Sequence, residues 1–240
     1  MYAIFLKEIN AFFSSLIGYI SVGVFLLVIG SFLWVFPETN ILDYGFATLD
    51  QLFAMGPNIF LLLIPAITMR SFAEETQSGT IELLATRPVS DIAIILGKYW
   101  ACIVLLMMSL APTLIYYFSI YRLGEPVGNI DTGAVIGSYI GLLLIGAAFT
   151  AIGLFASATT NNQIVSFVFG LFLCFVMYLG FDNISAFSFS NDSLIQSFGM
   201  NAHYDSLSRG LIDLRDVLYF LSVIAAFLGL TKFQLERRTW

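Results

Sequence analysis

This sequence of 240 residues has few of the side chains on which most catalytic and metal sites depend, with one histidine and two cysteines. His203 has no cysteine or second histidine near it in the sequence, which argues against a metal site. Cys102 and Cys174 lie in apolar runs without CxxC spacing, so we expect them to be buried packing residues. The H-E-x-x-H and G-x-S-x-G motifs are absent as well. We therefore expect no catalytic, metal or cofactor-binding residues.

The sequence also lacks a nucleotide-binding P-loop. Gly97 and Lys98 have neither the earlier glycine nor the following hydroxyl residue of the G-x-x-x-x-G-K-[ST] motif. The chain therefore cannot bind ATP through a P-loop.

Charged residues are scarce, at 11% of the chain, whereas hydrophobic residues make up 59% and the mean hydropathy is +0.90. Soluble domains carry about a quarter charged residues. The net charge of −6 argues against a nucleic-acid partner. Composition and length together predict one integral membrane domain over residues 1–240.

Six apolar segments predict an all-α protein with six transmembrane helices, since a bilayer core requires roughly twenty apolar residues per helix. These segments cover about residues 16–36, 52–69, 99–121, 133–156, 164–181 and 217–230. Proline lacks a backbone N–H, so Pro57, Pro65 and Pro112 either bend the second and third spans for function or form static kinks. Gly137 and Gly141 in the fourth span have GxxxG spacing, which favours close helix packing within the chain or between subunits.

Residues 1–15 precede the first span and combine apolar residues at helical spacing with Lys7, Glu8 and Asn10 on the other side. This pattern predicts a helix lying in the membrane interface. The alternative is a frayed start to the first span.

The distribution of basic residues predicts that both termini lie in the cytoplasm, because cytoplasmic flanks carry an excess of Lys and Arg. With six spans, the side that holds both termini has seven of these residues and the opposite side three. The seven are Lys7, Arg70, Arg87, Lys98, Lys232, Arg237 and Arg238, and the three are Arg122, Arg209 and Arg215.

Residues 72–98, the polar segment, lie between the second and third spans and are therefore predicted to be cytoplasmic. Residues 78–80 (Ser-Gly-Thr) predict a turn, and residues 81–86 a short amphipathic helix that Pro88 ends. The acidic side chains of this segment are disfavoured against an anionic inner leaflet, which favours docking of a protein. The alternative is a solvated loop on the bilayer surface.

Residues 182–216, the outer segment, carry apolar side chains in a pattern that predicts short helices dipping back toward the membrane. Gly210 is expected to end one of these helices and Asp213 to cap the next.

Three motifs carry a resemblance to a known family. They are K-E-I-N-x-F-F-S-S before the first span, R-S-F-A-E-E-x-x-S-G-T-I-E-L-L-x-T-R-P-V-S after the second, and H-Y-D-S-L-S-R-G-L-I-D-L-R-D-V-L-Y-F near the end. With them, the whole chain resembles the membrane subunit of a type-2 ABC transporter. More narrowly, it is similar to the gliding-motility permeases of Bacteroidota.

The resemblance implies a non-catalytic permease in the bacterial inner membrane, with an interfacial helix, a cytoplasmic coupling helix and outer re-entrant helices. It implies a dimer in which an ABC ATP-binding subunit docks on the coupling segment. It also implies a second, different membrane subunit with a large outer domain. The residues it assigns to ATPase coupling are Glu74, Glu75, Gly79, Thr80, Ile81, Glu82, Leu83 and Leu84.

Two other classes of function remain as alternatives. A stand-alone channel or secondary carrier should have ionisable residues buried in its spans, and the sequence shows no charge at the centre of a span. An intramembrane enzyme would need a polar constellation at membrane depth.

Overall fold

The computed structural model describes residues 1–37, 39–43, 46–80, 90–187 and 196–237, which contain helices and no strand. The α-helices of the described residues are α1 (Tyr2–Phe13), α2 (Leu16–Trp34), α3 (Asp50–Thr68), α4 (Arg70–Gln77), α5 (Asp91–Leu110), α6 (Leu114–Leu123), α7 (Thr132–Thr159), α8 (Gln163–Phe175), α9 (Phe181–Phe187), α10 (Met200–Ser208) and α11 (Leu214–Glu236). The chain is thus all-helical where it is described, as the sequence predicts.

Five helical segments of the described chain are long and apolar enough to cross a membrane: Asp50–Gln77, Asp91–Leu123, Thr132–Thr159, Gln163–Ser185 and Leu214–Glu236. The pair α1 and α2 supplies a sixth candidate, interrupted by a bend of 69°. The prediction of six spans therefore corresponds to five continuous segments and one bent pair. The bend falls where the sequence predicts the change from an interfacial helix to the first span. The interfacial placement of α1 stays a prediction.

Helix α7 is the centre of the bundle and packs against α3, α4, α5, α8, α10 and α11. Its large side chains Leu142, Phe149 and Ile152 are completely buried. Its glycines allow close contact within the chain, because a Cβ at Gly141 would stand 2.7 Å from the Cβ of Leu207 in α10. The small-residue face is therefore occupied by intramolecular packing, the first of the two alternatives for the GxxxG spacing.

Several predicted spans are shorter than the helices that contain them. The second span continues beyond residue 69, because α4 extends it through six polar residues to Gln77 with a break only at Met69. The helix of the third span begins at Asp91, eight residues before the apolar stretch. The fourth span runs to Thr159, so Ser157 is a buried helical residue. In each case, packing against neighbouring helices stabilises polar residues that hydropathy alone assigns to a loop.

The prolines have different consequences. Pro112 lies in one turn of 3-10 helix, Ala111–Thr113, which separates α5 from α6 as expected for a residue without an N–H donor. Helix α3, in contrast, continues through Pro57 and Pro65.

The outer segment contains short helices, as predicted. Helix α10 ends at Ser208, and Gly210 has a positive φ of 80°, a conformation that favours glycine. A side-chain oxygen of Asp213 then accepts a hydrogen bond of 3.0 Å from the N–H of Arg215 at the start of α11. Both turn predictions are confirmed.

Candidate functional site

Helix α4 holds the first part of the predicted coupling segment and is fixed to α7 by one serine. Ser157 accepts hydrogen bonds from the N–H groups of Phe72 and Ala73, at 3.0 and 3.1 Å. Its own hydroxyl donates to the carbonyl of Met69 at 3.0 Å. These backbone groups lie at the α3–α4 break, where the helical ladder leaves donors and acceptors unpaired. Ser157 therefore joins α4 to the central helix of the bundle.

A buried ion-pair network joins α4 to α1 and α5. Lys98 of α5 is completely buried, and its Nζ lies 2.7 Å from Glu8 Oε1 and 2.9 Å from Glu75 Oε1. The same ammonium donates to the carbonyl of Ser71 at 2.6 Å. All three of its N–H donors thus have acceptors, which offsets the cost of burying the charge.

Two further contacts complete this network. The ring of Phe72 lies 5.1 Å from Lys98 Nζ, a cation–π distance. Lys7 of α1 forms a short ion pair with Glu75. Glu75 therefore lies between two lysines, one from α1 and one from α5.

Burial lowers the pKa of Lys7, but the hydrogen bond and the charge of Glu75, with smaller contributions from Glu8 and Glu74, raise it above its ordinary value. Lys7 lies on α1, before the first span, and it remains charged at neutral pH.

A second ion pair lies beside the first. Arg70 Nε donates to Glu74 Oε2 at 2.9 Å, and its Nη1 donates to the hydroxyl of Ser15 at 2.6 Å. Ser15 lies between α1 and α2, so Arg70 connects the 69° bend to α4.

The charged residues of α1 and α4 line a cleft of about 270 Å³. Of the predicted coupling residues, Glu74, Glu75 and Thr80 line this cleft together with Lys7, Glu8 and Arg70. Gly79 is exposed, and its positive φ of 70° matches the predicted turn. Ile81, Glu82, Leu83 and Leu84 lie outside the described residues, as does the predicted helix 81–86. Within the described chain, no group of three His, Cys, Asp or Glu side chains is placed to hold a metal.

Sequence reasoning missed Lys98 and Glu8 as members of this site. Lys98 was expected to be a basic flank of the third span, and the spans were expected to contain no buried charge. The structure corrects this, because α5 begins seven residues before Lys98 and carries it into the bundle. No local pattern indicates their pairing, because Glu8 and Lys98 lie in separate parts of the sequence.

The outer segment holds a different polar cluster around His203. Its Nδ1 lies 2.7 Å from Asp216 Oδ1, and its Nε2 lies 2.9 Å from the carbonyl oxygen of Ser197. Ser206 donates a short hydrogen bond to the other oxygen of Asp216. This is not the arrangement of a catalytic triad, because the serine bonds to the carboxylate and not to the imidazole that would have to activate it.

Tyr204 anchors α10, the helix that also carries His203. Its hydroxyl donates to the carbonyl of Phe53 in α3 at 2.7 Å. Burial raises the pKa of Tyr204 well above its ordinary value, so the phenol remains a neutral donor.

Comparison with known families identifies the class of protein. Residues 41–231 match the profile of the ABC-2 family transporter proteins. No curated protein matches this sequence. Because the match covers most of the chain and the apolar helices are long enough to span a bilayer, the chain belongs to the ABC-2 transporter family. It is a multi-pass permease subunit of an ABC transporter, as the resemblance implies.

Proposed function

We propose that this permease is driven from the cytoplasm by a separate ABC ATPase that docks on α4 and the residues following it. In this proposal the chain is itself non-catalytic and binds no cofactor, and the ATP is bound by the partner. The coupling residues are those named above, Glu74, Glu75, Gly79, Thr80, Ile81, Glu82, Leu83 and Leu84.

The observation that supports this proposal is the set of contacts that fix α4 to the bundle. Lys98 ties it to α5 and, through Glu8, to α1. Ser157 ties it to α7, and Arg70 ties it to the bend before α2. A force applied to α4 is therefore delivered to four helices rather than absorbed in a flexible loop. A partner can shift the membrane equilibrium in this way if it binds the two conformations with different affinities.

We further propose the finer assignments that the three motifs suggest. The protein lies in the bacterial inner membrane with both termini in the cytoplasm. It pairs with a second, different membrane subunit that bears a large outer domain, and the complex acts in gliding motility. The excess of basic residues on the side of the polar segment supports the orientation.

Copurification from native membranes tests the ATPase partner. The chain with an epitope tag should bring down a polypeptide that hydrolyses ATP. Glu74→Lys, which reverses a half-exposed charge in the cleft, should reduce this recovery. Asp43→Lys makes the same charge change at an exposed residue on the predicted outer face and should leave recovery unchanged.

A second variant tests the residues beyond α4. Replacing Leu83 and Leu84 together by Glu should abolish ATPase recovery while membrane insertion is retained. Full recovery of the ATPase with this double variant would contradict the assignment of the coupling segment. Transport by the purified chain in vesicles without any nucleotide would instead support the channel or carrier alternative.

A further inference from the structure

The cleft between α1 and α4 contains one carboxylate oxygen whose hydrogen bonding is incomplete. Oε1 of Glu75 contacts the ammonium groups of both Lys7 and Lys98. Oε2 of the same side chain is buried and has no donor among the described residues, although Glu75 lines the cleft. The Glu75 side chain is only 9% exposed, and a buried acceptor without a donor costs free energy. The cleft therefore offers an acceptor to a ligand that carries an N–H or O–H group.

The charges around the cleft balance. Three cationic and three anionic side chains belong to it and to its ion-pair network, namely Lys7, Arg70, Lys98, Glu8, Glu74 and Glu75. Lys7 is half-exposed and uses one of its three N–H donors on Glu75. Arg70 uses three of its five N–H donors, two on Glu74 and one on Ser15. A ligand that carries one cationic and one anionic group matches both the missing donor and the remaining donors, and it leaves the net charge unchanged.

The lining of the cleft changes from polar to apolar along its length. Along α4 and back into α3 it changes from Ser78 through Glu74 to Ile67. The lining residues of α5 are small or apolar and buried, namely Ala101, Cys102 and Leu105. At 1.5 Å per helical residue, Ser78 and Ile67 are about 16 Å apart along the helix axis. The headgroup region on each side of a bilayer is only about 5–8 Å thick, so a cleft of this length in a spanning segment reaches from the headgroups into the hydrocarbon.

Helix α1 has the same change in the same direction. Its lining residues change from Lys7 to Phe12. Lys7 contacts Glu75, whereas Ser15 at the end of α1 contacts Arg70, which lies nearer to α3. The polar ends of the two helices therefore coincide, and so do their apolar ends. A molecule with charged groups at one end and hydrocarbon at the other fits this arrangement.

We propose that this cleft binds one phospholipid with a primary ammonium headgroup, of the phosphatidylethanolamine type. The ammonium donates to Glu75 Oε2, the phosphate accepts from Lys7 and Arg70, and the first part of an acyl chain lies against Ile67 and Leu105. A choline headgroup has no N–H group and cannot supply the missing donor. The assignment requires α4 to lie at a membrane surface, but it does not require an ATPase to be bound there.

Native mass spectrometry of the isolated permease tests this proposal. The full chain is purified, delipidated in detergent and mixed with equal amounts of phosphatidylethanolamine and phosphatidylcholine that have the same acyl chains. We expect the first lipid retained to be phosphatidylethanolamine, with a preference of about tenfold or more, the ratio that one hydrogen bond to a charged group supplies. Free phosphoethanolamine at the same concentration should not displace it, because the apolar end of the cleft contributes to binding.

Three variants locate the bound lipid. Ala11 is exposed and lines the cleft, so Ala11→Trp should fill the cleft without changing its charges and should abolish the preference. Ala3→Trp is the matched control, because Ala3 is an exposed residue of the same helix outside the cleft, and it should retain the preference. Glu75→Gln puts an amide NH₂ in place of the unpaired oxygen and should also abolish the preference. The wild-type measurement and Ala11→Trp test the proposal even if Glu75→Gln does not fold.

Equal retention of the two lipids by the wild type would overturn the proposal, and so would a preference that persists in Ala11→Trp. Displacement by free phosphoethanolamine would overturn the assignment to a lipid. If the cleft instead receives a basic side chain of the ATPase, the wild type should show no lipid preference and Ala11→Trp should lose the ATPase in copurification. That outcome would overturn the lipid site and leave the proposed coupling in place. A lipid preference without any copurified ATPase would support the lipid site and contradict the coupling.

Discussion

Lys98→Met is the most informative perturbation of the ion-pair network, because it keeps the length and the apolar stem of the side chain and removes only the charge. The ammonium contacts Glu8 Oε1, Glu75 Oε1 and the carbonyl of Ser71, all within 2.9 Å. Removing one partner of a buried ion pair costs about 3–5 kcal/mol, because the other charge is left without compensation. Lys7 remains beside Glu75, so we expect a loss near the lower end, about 3 kcal/mol.

This loss is measurable by thermal unfolding in detergent, followed with a thiol-reactive fluorophore. Cys102 and Cys174 are both buried and free, so their reaction reports unfolding. For a chain of this size, each kcal/mol of lost unfolding free energy lowers the Tm by about 2–4 °C. The expected fall in Tm is therefore roughly 6–12 °C for about 3 kcal/mol.

Lys232→Met is the matched control, because Lys232 is partly exposed and pairs with Glu236 on the same helix at 3.2 Å. Such pairs contribute at most about 1 kcal/mol. Adding Glu8→Gln to Lys98→Met should recover part of the lost stability, since it removes one of the uncompensated carboxylates. Equal Tm values for Lys98→Met and Lys232→Met would refute the assignment of a buried, mutually dependent network.

Three further predictions concern packing, backbone hydrogen bonds and pH. Gly153→Ala should lower the free energy of unfolding by about 1–3 kcal/mol, because the added Cβ would collide with a neighbouring threonine side chain. Gly23→Ala is the control, since a Cβ there meets nothing within 4 Å, and it should leave the Tm unchanged or slightly raised. Ser157→Ala should lower the free energy of unfolding by about 1–3 kcal/mol, because it leaves two buried N–H groups unpaired. Ser119→Ala loses only a hydrogen bond within its own helix and should be nearly neutral. The pKa of Lys7 is raised, so the stability that its charge contributes is present below the ordinary lysine pKa and is lost at higher pH. The Tm difference between wild type and Lys7→Gln should therefore be the same at about pH 7 and pH 9 and should shrink above about pH 10.5.

The membrane spans and the turns were predictable because they depend on short-range patterns. Apolar runs of bilayer length correspond to the long helices, and the backbone preferences of glycine and aspartate correctly indicated the turns at Gly79, Gly210 and Asp213. The buried free cysteines were also predictable, since both lie in apolar runs.

The buried network was not predictable from local pattern. Lys98 and Glu8 are 90 positions apart, and no hydropathy average reveals which of the chain's charges meet. Lys98 stands near a predicted span end, where a lysine ordinarily reaches the aqueous interface. Helix α4 was assigned to a loop for a similar reason, because its polar side chains hide the packing of Phe72 and Ala73 against the bundle.

The His203 cluster shows the same limit. The sequence places one histidine in the outer segment without a second metal ligand nearby. Its pairing with Asp216 depends on how α10 turns back at Gly210 and meets α11, a tertiary arrangement that thirteen positions of separation do not specify.

In the proposed coupling, α4 and the following residues receive force from a cytoplasmic ATPase, and cross-linking tests this contact most directly. A photo-reactive amino acid at Thr80, which is exposed at the edge of the cleft, should capture a nucleotide-binding polypeptide in native membranes. The same group at Asp43, exposed on the predicted outer face, should capture none. Capture at Asp43 but not at Thr80 would contradict the orientation, and capture of no nucleotide-binding protein at Thr80 would contradict the coupling itself.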